Sequence, residues 1–124
     1  MNHILLIAVG GAIGAVCRFL LGGLIQEKMS SAMPWGTLAV NVIGCFFIGL
    51  LIRAVEEKAV PDSIRFVAIT GFLGAFTTFS TFGLETVMCF KSDGLTLAMF
   101  NVGCNVIIGI MAVFFGITAW SLVR

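Results

Sequence analysis

The stretch TGFLGAFTTFSTFG, Thr70 to Gly83, decides how the whole chain is read. It sits in an uncharged run from Phe66 to Leu84 that is long enough to cross a membrane. Yet it concentrates glycine, threonine and serine in the middle of that run. A regular membrane helix rarely does so. The pattern predicts a broken helix near Gly74 to Thr78, because irregular backbone survives at membrane depth only where protein buries it or a polar cavity receives it. Carbonyls freed by such a break can coordinate a monovalent cation. The competing reading is a continuous helix whose hydroxyls bond back to carbonyls four residues earlier. Phe76, Phe79 and Phe82 recur at every third position. Such a stripe is ordinarily packing. The special reading uses the positive ring edges, which can line a narrow passage for a small anion.

Outward from this stretch, the charges fall in clumps separated by long apolar runs. Ile4 to Ile25 is interrupted only by Arg18, and Trp35 to Ile52 and Leu95 to Val123 carry no charge. Four transmembrane helices are expected, at about 4–25, 35–53, 63–90 and 95–122, in a single domain over 1–124. Composition agrees: 60% of the residues are hydrophobic and 10% charged, against about 25% charged in soluble domains. A net charge of +1 argues against nucleic-acid binding, which requires a basic face. A cleaved leader fits the first segment poorly, since no Lys or Arg precedes its long apolar run. Cys17, Cys45, Cys89 and Cys104 form no CxxC pair, and His3 is the only histidine. Metal and disulfide roles for these cysteines are therefore disfavoured. The spans hold no Ser/His/Asp or Cys/His cluster, so an enzyme is not expected.

With four spans, both termini and the middle loop share one side. Arg53, Lys58, Arg65 and Arg124 lie there, and Lys28 and Lys91 lie on the other. Orientation follows this asymmetry. It is weak enough to permit insertion both ways, although a single orientation set by the extra charges is the simpler reading. Gly10 and Gly14 form a GxxxG pair, which reads first as helix packing. Arg18 follows one turn later, either snorkelling to an interface or buried as a cation that attracts an anion. Thr37, Asn41, Gly44 and Cys45 make one polar-and-small stripe on the second helix. Asn41 there is an interhelical hydrogen-bond former or a pore-lining donor. Asn101 and Asn105 stack one turn apart on the fourth. So many polar groups in so small a bundle argue for oligomerisation.

Three motifs now carry a resemblance: GGAIGAVCR from Gly10 to Arg18, PWGTLAVNVIG from Pro34 to Gly44, and GFLGAFTTFSTF from Gly71 to Phe82. In this order and spacing the chain resembles the Fluc, or CrcB, family of fluoride-specific ion channels over essentially its whole length. The resemblance implies an all-α membrane protein whose third helix breaks at mid-membrane, assembled as an antiparallel, dual-topology homodimer with two pores. It implies passive export of fluoride across the bacterial cytoplasmic (inner) membrane, lowering its cytoplasmic concentration. It implies a structural, untransported Na⁺ on the backbone carbonyls of Gly74 and Thr77. Asn41, Phe79 and Phe82 would face the fluoride path, Ser80 and Thr81 would join its polar track, and Arg18 would sit near a vestibule. Family members often carry Tyr and Ser where this chain has Asn101 and Asn105, and the chain has no tyrosine. The main alternative is a dual-topology small multidrug-type exporter. That class requires a membrane-embedded carboxylate, for which Glu85 is the only candidate.

Overall fold

A computed structural model describes residues 2–123. Met1 and Arg124 lie outside it, so Arg124, counted above among the charges of one side, has no structural account. The described residues are helical apart from short connections and one break. We label the helices α1 (Asn2–Met29), α2 (Trp35–Glu56), α3 (62–76), α4 (Phe79–Asp93) and α5 (95–123). Together α3 and α4 form one broken crossing. Four segments are long and apolar enough to cross a membrane: His3–Met29, Trp35–Glu56, Asp62–Asp93 and Leu95–Leu122. The third is the least apolar, with a mean hydropathy of 1.5 against 2.2 or more for the others. The hydroxyl-rich break accounts for that deficit.

The helices run on past their apolar stretches. Helix α1 continues through Gln26 to Met29 and α2 through Arg53 to Glu56, because backbone hydrogen bonding does not stop where hydrophobicity does. Ser30, at φ 43°, then turns the chain out of α1. Gln26 ties this turn down: its Nε2 donates to the Ser31 and Met33 carbonyls at 2.9 and 3.2 Å, and its Oε1 accepts from the Gly36 N–H at 3.1 Å. Gly94, at φ 86°, joins α4 directly to α5, a backbone conformation that favours glycine. Two stretches wind as π-helix, Arg65–Leu73 in α3 and Cys104–Ile108 in α5. The Gly74 N–H correspondingly reaches back five residues to the Ile69 carbonyl. Such wide turns concentrate at functional sites.

Contacts at the helix ends fix the order of crossing. His3 stacks on Phe66 with ring centroids 4.0 Å apart. Trp120 Nε1 donates to Glu57 Oε2 at 2.9 Å, and Glu57 also pairs with Arg53 at 3.1 Å. The start of α1, the loop after α2 and the end of α5 therefore share one end of the bundle. At the opposite end Cys89 of α4 lies against the Ala32 carbonyl.

Bare backbone makes the seams. A methyl on Gly10 or Gly14 would run into the Val67 or Phe72 carbonyl of α3, and one on Gly116 into the Phe46 carbonyl of α2. The GxxxG pair is thus the seat of α3, as small-residue packing in lipid requires. The interior is small. Val40 and Asn101 are the largest fully buried side chains, at 1% and 0% exposure. Large apolar groups such as Phe19, Phe114 and Leu122 point outward.

Gly14→Ala should lower stability by about 1–3 kcal/mol through overpacking. Gly23→Ala, where an added methyl meets nothing within 4 Å, should raise it by up to about 1 kcal/mol through helix propensity. Unfolding in detergent followed by circular dichroism distinguishes them, and equal shifts of one sign would rule out the seam.

Candidate functional site

The break occupies two residues. Thr77 (φ −85°, ψ 157°) and Thr78 (φ −149°, ψ 118°) are extended. Thr77 closes α3, since its N–H and its hydroxyl both donate to the Leu73 carbonyl, at 3.1 and 3.0 Å. The Thr78 N–H is carried out of reach of any α3 carbonyl. Asn41 of α2 receives it: Oδ1 accepts from the Thr78 N–H at 2.8 Å, and Nδ2 donates to the Thr78 carbonyl at 3.2 Å. One side-chain amide thus pairs with both backbone groups of the residue that leaves the helix. The Thr78 hydroxyl then caps α4 by accepting from the Thr81 N–H at 3.2 Å, as N-cap threonines do. It also bonds the Thr81 hydroxyl at 3.0 Å, with Ser80 Oγ at 3.4 Å.

A chain of hydrogen bonds continues away from Asn41. Its Nδ2 also donates to Asn105 Oδ1 at 2.9 Å. Asn105 Nδ2 donates to the carbonyl and the Oδ1 of Asn101, at 3.1 and 3.0 Å. Asn101 Nδ2 donates to Thr86 Oγ1 at 2.9 Å, and the Thr86 hydroxyl donates to the Phe82 carbonyl at 2.8 Å. Asn101 is completely buried, and this ladder satisfies it.

Two cavities meet at Thr78. The first, of about 300 Å³, is lined by Asn41, Gly74, Thr77, Thr78, Phe79, Phe82 and Asn105 together with apolar groups, and no charged residue among those described borders it. Phe82 is buried, whereas Phe79 is 83% exposed. Their rings lie 5.4 Å apart and tilted by 57°. The second cavity, of about 390 Å³, contains Arg18, Gln26, Thr37, Thr78, Thr81 and Glu85. There Glu85 Oε1 accepts from the Thr37 hydroxyl at 2.9 Å, while the buried Oε2 has no hydrogen-bond partner among the described residues. A polar site at a helix break, split between an uncharged and a charged chamber, suits the handling of a small ion more than catalysis.

Residues 5–117 match the family model described as CrcB-like protein, Camphor Resistance (CrcB). The chain belongs to this family. Proteins named fluoride-specific ion channel FluC are similar to this CrcB-family chain along nearly its whole length. That of Dehalococcoides mccartyi is 41% identical over 125 residues, covering 100% of this chain and 96% of its own. That of Magnetococcus marinus is 40% identical over 118 residues, covering 94% and 96%. That of Agrobacterium fabrum is 42% identical over 118 residues, covering 94% of each.

Within the CrcB-family chain, the residues singled out from sequence divide between the two cavities. Asn41, Phe79, Phe82, Gly74 and Thr77 line the first, and Arg18 and Thr81 the second. Ser80 is exposed at the start of α4 and lines neither of these cavities. Asn105 lines the first cavity and Asn101 lies behind it. Sequence reasoning passed over Thr78, which borders both cavities, and Thr86, which ends the ladder. Thr86 carries no sequence signal, being one threonine on a helix flank. The signal for Thr78 was its place inside the proposed break.

Asn41→Ala removes three bonds at once and leaves the Thr78 N–H buried without an acceptor, a cost of about 1–3 kcal/mol. Hydrogen–deuterium exchange should accelerate across Thr77 to Thr81, and an unchanged rate there would show that Asn41 does not hold the break.

Proposed function

We propose that the chain is a fluoride channel that passively exports the ion across the bacterial inner membrane. The observation that carries this reading is the uncharged cavity at the helix break, lined by Asn41, Asn105, Phe79 and Phe82. The names of the similar FluC proteins support it. Fluoride is small and strongly hydrated, so removing its water is expensive unless other donors replace it. Amide and hydroxyl groups and ring edges supply partial positive charge. A fixed countercharge would hold the ion too tightly, and conduction needs sites that also release. Thr81 and Ser80 would extend the polar track, and Arg18 would draw the anion towards a vestibule. HF enters a cell as a neutral acid and ionises inside, and the inside-negative potential then drives the anion outward.

The working unit we propose is an antiparallel, dual-topology homodimer with two pores. In a single chain Phe79 is almost fully exposed and Gly74 is uncovered, although helical irregularity at membrane depth needs protein cover. A second copy provides that cover. The same break fits a structural Na⁺. The last carbonyls of α3, that of Gly74 among them, lack helical partners and sit at the negative end of the helix dipole, and the Thr77 carbonyl follows in the break. Gly74 and Thr77 of each copy would hold the ion, and it would supply positive potential and stiffen the break. These donors are neutral oxygens, as discontinuous helices offer to Na⁺.

The rival reading, a small multidrug-type exporter, needs a carboxylate available for proton exchange with a cationic substrate. Glu85 Oε1 is engaged by Thr37 and the carboxylate shares its cavity with Arg18, whose positive charge disfavours a cationic substrate there. Purified protein in liposomes should release fluoride without a proton gradient and exclude chloride, as followed with ion-selective electrodes. Equal chloride flux, or none of either ion, would overturn the proposal.

The aromatic pair has its own test. Phe82→Ile and Phe79→Ile each keep apolar bulk but lose the ring edge, and each should cut fluoride flux by at least tenfold while the protein still elutes as a folded species. Full flux in both variants would remove the rings from the path.

A further inference from the structure

In the ladder without an ion, hydrogen-bonding chemistry sets which way each amide points. A backbone N–H only donates, so the Asn41 atom facing the Thr78 N–H is oxygen, and its nitrogen faces Asn105. The Asn105 atom facing that nitrogen is therefore oxygen. On its other side Asn105 faces the Asn101 backbone carbonyl, which only accepts, so that atom is nitrogen. Both hydrogens of Asn41 are consequently in use, one on Thr78 and one on Asn105. In this arrangement Asn41 has no donor to offer an anion, although it borders the cavity.

We propose that the ladder of Asn41, Asn105, Asn101 and Thr86 is reversible, and that an anion enters by turning the Asn105 amide over. The inference rests on the fluoride-channel reading. Turned, Asn105 presents Nδ2 to the cavity beside Asn41 Nδ2, and the two nitrogens converge on one acceptor. A small anion would accept from both. The displaced Oδ1 now faces Asn101. There the Asn101 amide turns as well and donates to it, and the Thr86 hydroxyl swings from the Phe82 carbonyl to donate to Asn101 Oδ1. Each amide keeps a partner in both states. The Asn101 carbonyl that Asn105 leaves keeps the Cys104 N–H, and its contact with the turned Oδ1 is the cost that the bound anion offsets. The Thr78 pairing of Asn41 is untouched, so the break stays closed while the seat opens. Asn41 and Asn105 would touch the ion, and Asn101 and Thr86 act through them as positioning residues.

Two measurements test this. In ¹⁵N-labelled wild-type protein in nanodiscs, the Asn105 side-chain NH₂ signals, assigned by their loss in Asn105→Ser, should shift on titration with sodium fluoride and stay still with sodium chloride. In liposomes Asn105→Leu should lower fluoride efflux at least tenfold. Asn105→Ser, whose hydroxyl both donates and accepts, should recover at least threefold over that variant. An Asn105 signal unmoved by fluoride in conducting wild-type protein would overturn the ladder, and so would undiminished efflux in Asn105→Leu. Absence of fluoride efflux from wild-type liposomes would instead overturn the channel reading itself.

Discussion

The structure depends on one pairing, between the Asn41 amide and the backbone of Thr78. In lipid a backbone group without a partner costs several kcal/mol, so a helix cannot stop at mid-crossing unless something else completes its hydrogen bonds. Asn41 offers an acceptor to the Thr78 N–H and a donor to its carbonyl. These are the two groups that an extended residue displays and a helix would have used internally. The Thr78 hydroxyl caps the helix that follows. Cavities, aromatic pair and exposed carbonyls all follow from a break that this arrangement makes tolerable.

The pairing needs α2 and α3 to be held at a fixed distance, and the glycine seams do that. Gly10 and Gly14 bring α1 onto the backbone of α3, Gly22 and Gly36 bring α1 onto α2, and Gly49 and Gly116 bring α2 and α5 together. Water exclusion does not drive helices together in lipid, so such close contact and interhelical hydrogen bonding must supply the packing. The seams also explain how so few buried side chains suffice. Backbone meets backbone, and the remaining interior is spent on the polar ladder.

Much of this was legible in the residues. The four apolar runs and the Gly/Thr/Ser cluster pointed to four crossings with an interruption in the third, and the break falls at Thr77–Thr78, inside the expected Gly74 to Thr78. The reason is local: a cluster of hydroxyls and glycines at mid-depth has one physical excuse. The glycine pair was read correctly as packing. The partners of Asn41 were not legible. Its stripe on α2 allowed a brace or a pore donor, and only tertiary placement showed both amide hydrogens engaged. Asn101 and Asn105 share a helix face by spacing alone, but their line to Thr86 crosses from α5 to α4. Nor could spacing separate Phe79 from Phe82. Both sit in the first turn of α4, one turned out of the chain and one buried against it.

A cavity whose donors are already committed has a consequence for a small anion. Unsatisfied donors at membrane depth would destabilise the empty protein and hold the ion too strongly once it arrived. Committed donors avoid both effects. The bonds lost within the protein offset part of the gain on binding, which keeps the ion's residence brief. Larger halides make weaker hydrogen bonds and recover less of that loss, so the same offset disfavours them. Selectivity of this kind comes from competition between the ion and the protein's own acceptors rather than from a rigid hole. An uncharged chamber suits such a competition, because a formal countercharge would swamp the small differences involved.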